Sequence, residues 1–127
     1  MSLKILFLCG HNSGRSIAAE AICKKIRPEL KASSAGTKPG KRINPEVKKS
    51  LQKKGFSVIG SFPKSIDDVG GLSKWNKVIT MGCMEKNCPV IPKGIEHEDW
   101  NLPDPATNIE SIDETIQILI TKIKKIN

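Results

Sequence analysis

The sequence predicts an α/β protein with parallel strands, and three stretches carry that prediction. A continuous apolar run, Ile5 to Leu8, passes through a glycine-containing turn into a helical pattern from Ser16, the first half of a strand-helix-strand unit. A second run, Lys77-Val78-Ile79-Thr80-Met81, reads as another parallel strand and ends at Gly82-Cys83. Towards the end of the chain, Ile109, Ile112, Ile116, Leu119, Ile123 and Ile126 alternate by three and four, predicting an amphipathic helix that lays one face on the sheet. At 127 residues and 38% hydrophobic content, the chain fits one compact domain, 1–127, with no internal repeat or linker.

The elements follow in order. Lys4 to Leu8 forms the first strand. In the next helix Ile17, Ala18, Ala21, Ile22 and Ile26 make the apolar face, Glu20, Lys24 and Lys25 the polar one, and Pro28 limits its length. Cys23 lies on this helix and is expected to serve packing. A short strand over Lys31 to Ser34 enters Ala35-Gly36-Thr37, and Pro39-Gly40 marks a loop. Asn44 and Pro45 supply a cap and first turn for a helix carrying Val47 and Leu51, closed by Gly55. Phe56 to Ile59 is a brief apolar stretch interrupted by Phe62-Pro63, and Asp67 to Leu72 reads as a short helix broken at Gly70-Gly71. After the strand at 77–81, Pro89, Pro92 and Gly94 make the chain irregular, and Glu96 to Trp100 predicts a last short strand. His97 and Trp100 read as surface or packing residues. Leu102-Pro103-Asp104-Pro105 is a rigid loop around one carboxylate, and Thr107 with Glu110 offers a capping box to the final helix.

Composition narrows the function. The formal charge of +8 suits nucleic acid, an acidic membrane surface or small anions. The lysines are spread rather than stacked in one block, and aromatics are 4% with no Tyr, so platforms for stacking bases are scarce. Small anions are the favoured partners. No apolar run reaches the length of a membrane span and no leader-like pattern opens the chain, so a cytoplasmic protein is expected, with neither membrane nor nucleic acid as partner. In that setting four cysteines point to catalytic or redox roles rather than structural disulfides.

The stretch Cys9-Gly10-His11-Asn12-Ser13-Gly14-Arg15-Ser16 holds the chemistry. Five residues separate Cys9 from Arg15, and two are glycines, which lets the backbone curl until several N–H groups of Gly10 to Gly14 face one concavity. Such a nest binds an oxyanion. The helix opening at Ser16 adds the positive end of its dipole, and the Arg15 guanidinium can grip two oxygens of a tetrahedral anion. The same positive surroundings favour the thiolate of a cysteine, which makes Cys9 the expected nucleophile. In open α/β sheets, chemistry gathers beyond the carboxyl ends of the strands, which brings the Cys83 region towards Cys9. Cys83 and Cys88 lack the paired spacing of a zinc ribbon, and no metal site is expected from them.

Taken together, Cys9 to Ser16, Ala19-Glu20, Ser34-Ala35-Gly36, Asn44-Pro45, Cys88-Pro89 and Trp100 through Asp104-Pro105-Ala106 make the chain resemble the low-molecular-weight tyrosine phosphatase superfamily, and within it the thioredoxin-coupled arsenate reductases. The resemblance implies a single-domain four-stranded parallel sheet with helices on both faces. It also implies that Cys9 attacks arsenate held by Arg15 and the loop amides, that Ser16 hydrogen-bonds the Cys9 sulfur, and that Asp104 is the general acid. Cys83 would then attack Cys9 and release arsenite, and Cys88 would attack Cys83, leaving a disulfide for a thioredoxin-like reductant. Four residues separate Cys83 from Cys88, where six are usual in that branch. Asn12, Glu20 and Ser34 match positions that hold potassium in some relatives, while the aspartate that joins them there falls at Ser65, with Asp67 close by. No tightly bound cofactor is implied, phosphate and sulfate would act as substrate analogues, and a monomer is expected. The alternative is a tyrosine or aryl phosphatase working through phosphocysteine. Its usual tyrosine pair after Asp-Pro is replaced here by Ala106-Thr107-Asn108. A non-catalytic polyanion-binding module is the minor alternative, marked by steep salt dependence.

Overall fold

A computed structural model describes residues 3–9, 14–58, 61–81, 91–100 and 112–126. Four strands, β1 (Lys4–Cys9), β2 (Lys31–Gly36), β3 (Lys77–Thr80) and β4 (Glu96–Asp99), form one sheet in the order β2-β1-β3-β4. All pairings are parallel. β1 lies between two neighbours and is buried from Ile5 to Cys9, which explains why it reads as an unbroken apolar run.

Alternation along β1 divides the core. Ile5, Phe7 and Cys9 face a cluster built with three α-helices, α1 (Arg15–Ile26), α2 (Pro45–Lys53) and α3 (Ile112–Lys124). Leu6 and Leu8 face the opposite way, onto Val69 and Trp75, where two single 3-10 turns, Asp67–Val69 and Leu72–Lys74, cover the sheet. The fold is thus the expected four-stranded parallel α/β sheet with helical segments on both faces. Among the described residues no helix is long and apolar enough to cross a membrane.

Local chemistry sets the element ends. Asn44 Oδ1 accepts from the N–H groups of Glu46 (2.9 Å) and Val47 (3.4 Å), and Pro45 opens α2 as its sequence suggests. Gly55, at a φ of 86°, ends the helix, its N–H on the Gln52 carbonyl at 3.0 Å. Arg27, just past α1, donates to the carbonyls of Ile123 (3.0 Å) and Lys124 (3.2 Å), so one guanidinium caps α3 and ties it to α1. Ser50 hydrogen-bonds Asp113 and links α2 to α3.

The structure differs from the sequence expectations at four points. α1 begins at Arg15, and β2 runs on to Gly36 because Ala35 and Gly36 pair with Leu8 and Cys9. The short helix over Asp67 to Leu72 is broken at Gly70 and Gly71 as expected, at φ of 87° and 81°, but its pieces are 3-10 turns and the second runs on to Lys74. Glu20, expected on the solvated polar face with Lys24 and Lys25, is 3% exposed, although it keeps an ion pair with Lys24 one turn on. The final helix is described from Ile112, and the start expected at Ile109 with the Thr107/Glu110 capping box lies outside the described residues.

Candidate active site

Cys9 is the last residue of β1, at the carboxyl edge of the sheet, and is 8% exposed. Its Sγ lies 2.9 Å from the Oγ of Ser16, in the first turn of α1 and fully buried. Strand and helix thus bring together two residues seven apart, with Arg15 as the first residue of the helix between them. Gly14 precedes α1 and its carbonyl accepts from Ala18 N–H at 2.9 Å, which closes the first turn and leaves the first N–H groups of the helix without partners inside it. Of the expected oxyanion-binding residues, Gly14 and Arg15 are described, whereas Gly10, His11, Asn12 and Ser13 lie outside the described residues. The same holds for Cys83, Cys88 and Asp104.

The neighbouring strand ends converge on this edge. Met81 N–H donates to the Leu8 carbonyl at 2.8 Å, anchoring the chain beside Cys9 two residues before Cys83. Trp100 N–H donates to the Thr80 carbonyl at 2.7 Å, four residues before Asp104. The Trp100 ring is buried against Phe7, centroids 6.0 Å apart, a packing role in line with its sequence. His97 sits exposed on β4 with Nε2 3.1 Å from Thr80 Oγ1. Cys23 packs in the core with no exposure, and burial pushes its thiol up to about 11.

One cluster beside the site was only half visible in the sequence. Glu20 Oε1 accepts from Ser34 Oγ at 2.6 Å and from Lys64 Nζ at 3.2 Å, while Oε2 accepts from Lys24 Nζ at 2.9 Å. Burial pushes the Glu20 carboxyl up, but the hydrogen bonds from Ser34 and Lys24 and the charges of Lys64 and Lys24 outweigh it and hold the group below the usual carboxylate range. Lys64 Nζ also reaches Ser34 Oγ at 3.4 Å. Two of the three residues matched to a potassium position therefore meet, together with Lys64, which nothing in its local sequence singles out. Among the described residues, no group of three His, Cys, Asp or Glu side chains is placed to hold a metal.

A cysteine set over a helix N-terminus at the carboxyl edge of a four-stranded parallel sheet defines the class: α/β proteins that engage oxyanions through a cysteine. The chain belongs to the low molecular weight phosphotyrosine protein phosphatase family, whose pattern it matches over residues 4–126. Within that family, arsenate reductase 2 of Staphylococcus epidermidis is 30% identical over 103 residues, which cover 80% of this chain and 78% of that one. The crystal structure of an arsenate reductase from Archaeoglobus fulgidus superposes with a TM-score of 0.80 at 29% identity, covering 95% of this chain and 96% of that one. A thioredoxin-dependent arsenate reductase of Corynebacterium glutamicum gives a TM-score of 0.71 at 34% identity, covering 97% of this chain and 62% of that one.

Proposed function

We propose that this protein is an arsenate reductase that uses Cys9, Cys83 and Cys88 in succession and is recycled by a thioredoxin-like dithiol. The observation that carries the reading is the Cys9 Sγ to Ser16 Oγ contact of 2.9 Å at the head of α1. With the thiol ionised, Ser16 is the donor, and the sulfur is held in place to attack an anion seated on the helix N-terminus. The arsenate reductases among its relatives, the two further cysteines and the absence of Tyr favour arsenate over a phosphotyrosine ring.

The steps balance. Cys9 displaces one oxygen from arsenate, Asp104 protonates the leaving oxygen, and Arg15 with the amides of residues 10–14 holds the remaining oxygens. Cys83 then attacks Cys9 Sγ. The sulfur-arsenic bond breaks with its electron pair passing to arsenic, which leaves as arsenite, and a Cys9-Cys83 disulfide remains. Cys88 attacks Cys83, frees Cys9 and forms a Cys83-Cys88 disulfide, which the external dithiol reduces.

The test measures arsenite formed from arsenate with thioredoxin, thioredoxin reductase and NADPH, beside hydrolysis of an aryl phosphate by the same preparation. Sustained arsenite formation over slow aryl phosphate hydrolysis is expected, with both lost in Cys9→Ser. Rapid hydrolysis with no arsenite would assign the protein to the phosphatases.

A further inference from the structure

The Glu20 cluster departs from the cation site that the family resemblance implies. A potassium ion there would need oxygen ligands with a surplus of negative charge. Among the described residues, Glu20 supplies the one carboxylate of the cluster, and both its oxygens already accept from ammonium groups, Lys64 on Oε1 and Lys24 on Oε2. The aspartate position is Ser65, whose N–H donates to Asp68 Oδ2 at 2.9 Å and whose Oγ accepts from Asp68 N–H at 3.1 Å, so it is turned to its own 3-10 turn. Asp67 and Asp68 are exposed. The described residues of the cluster do not fit potassium, because a second cation on Glu20 Oε1 would be repelled by the first at close range.

Backbone pairing shows why Lys64 is there. Gly36 pairs with Cys9 on one side and forms a bridge with Ser65 on the other, and its N–H donates to the Lys64 carbonyl at 2.8 Å. The lysine is thereby fixed beside β2, and its ammonium reaches Glu20 on α1 and Ser34 on β2. Glu20 lies on the helix that carries Arg15 and Ser16.

We propose that the Lys64 ammonium is a built-in replacement for the monovalent cation, holding α1 to β2 beside Cys9 so that the protein is indifferent to potassium. Lys64 is in this role a positioning residue. The test is thermal unfolding of the full chain in KCl, NaCl and choline chloride at equal ionic strength, a readout independent of arsenate chemistry. The wild type is expected to melt at the same temperature in all three salts. Lys64→Ala should melt several degrees lower in choline chloride and recover part of that loss in KCl, while Lys64→Arg keeps the salt-indifferent behaviour. Selective stabilisation of the wild type by potassium would overturn the proposal, and so would a Lys64→Ala protein with no potassium-selective recovery.

Discussion

Cys9 and Cys23 have the same side chain and opposite prospects, because their surroundings differ. Cys9 closes a strand over a helix N-terminus beside a hydroxyl, whereas Cys23 is walled in by the apolar side chains of α1 and its neighbours. With its thiol pushed up to about 11, Cys23 is neutral at physiological pH and closed to reagents. Iodoacetamide at neutral pH should therefore alkylate Cys9 in the native protein and reach Cys23 only after unfolding, as peptide mass mapping would report. The unfolded thiol ionises near 8.5, the folded one later, so between about pH 8.5 and 11 the folded state binds more protons and stability falls as pH rises. Cys23→Ala should reduce the difference between urea midpoints at pH 8 and pH 10.5. Cys9, Arg15 and Ser16 were legible in the sequence because they are neighbours along the chain. The burial of Glu20 and its contact with Lys64 were not, because Lys64 lies 44 residues away and Ser34 in another element.

At the scale of elements, the helices and the buried strands announced themselves through periodicity, and their ends depended on contacts between elements. β2 reads as stopping at Ser34, yet pairing with β1 carries it to Gly36. α2 is the opposite case, for Asn44, Pro45 and Gly55 fix both ends locally. Asn44→Ala removes a side-chain acceptor serving two N–H groups and should cost about 1 kcal/mol, seen as a lower urea midpoint with an unchanged slope. β4 is four exposed residues at the sheet edge, Glu96 to Asp99, whose charges discourage pairing with another sheet. Lys77 gathers two of them, Glu96 at 2.6 Å and Glu98 at 2.5 Å. Spacing alone could not have shown that link, since it runs between strands paired through the fold.

Across the whole molecule, four parallel strands direct their carboxyl ends to one edge, and the chain leaves that edge after Cys9, Gly36, Met81 and Trp100. The segments after Cys9, Met81 and Trp100 carry, in sequence, the residues proposed as the oxyanion loop, the two cysteines proposed for the relay, and Asp104. Parallel topology thereby serves a reaction that needs a nucleophile, a proton donor and a second thiol from distant parts of the chain. The net charge of +8 draws oxyanions to the same molecule and agrees with a small anionic substrate. The central claim is that Cys83 removes arsenic from Cys9 as arsenite. The most direct measurement is free arsenite released from arsenate by wild type and by Cys83→Ser, each with the thioredoxin system. The wild type should release many arsenites per chain and Cys83→Ser essentially none, while aryl phosphate hydrolysis at Cys9 persists in the variant. Continued arsenite release by Cys83→Ser at the wild-type rate would contradict the account.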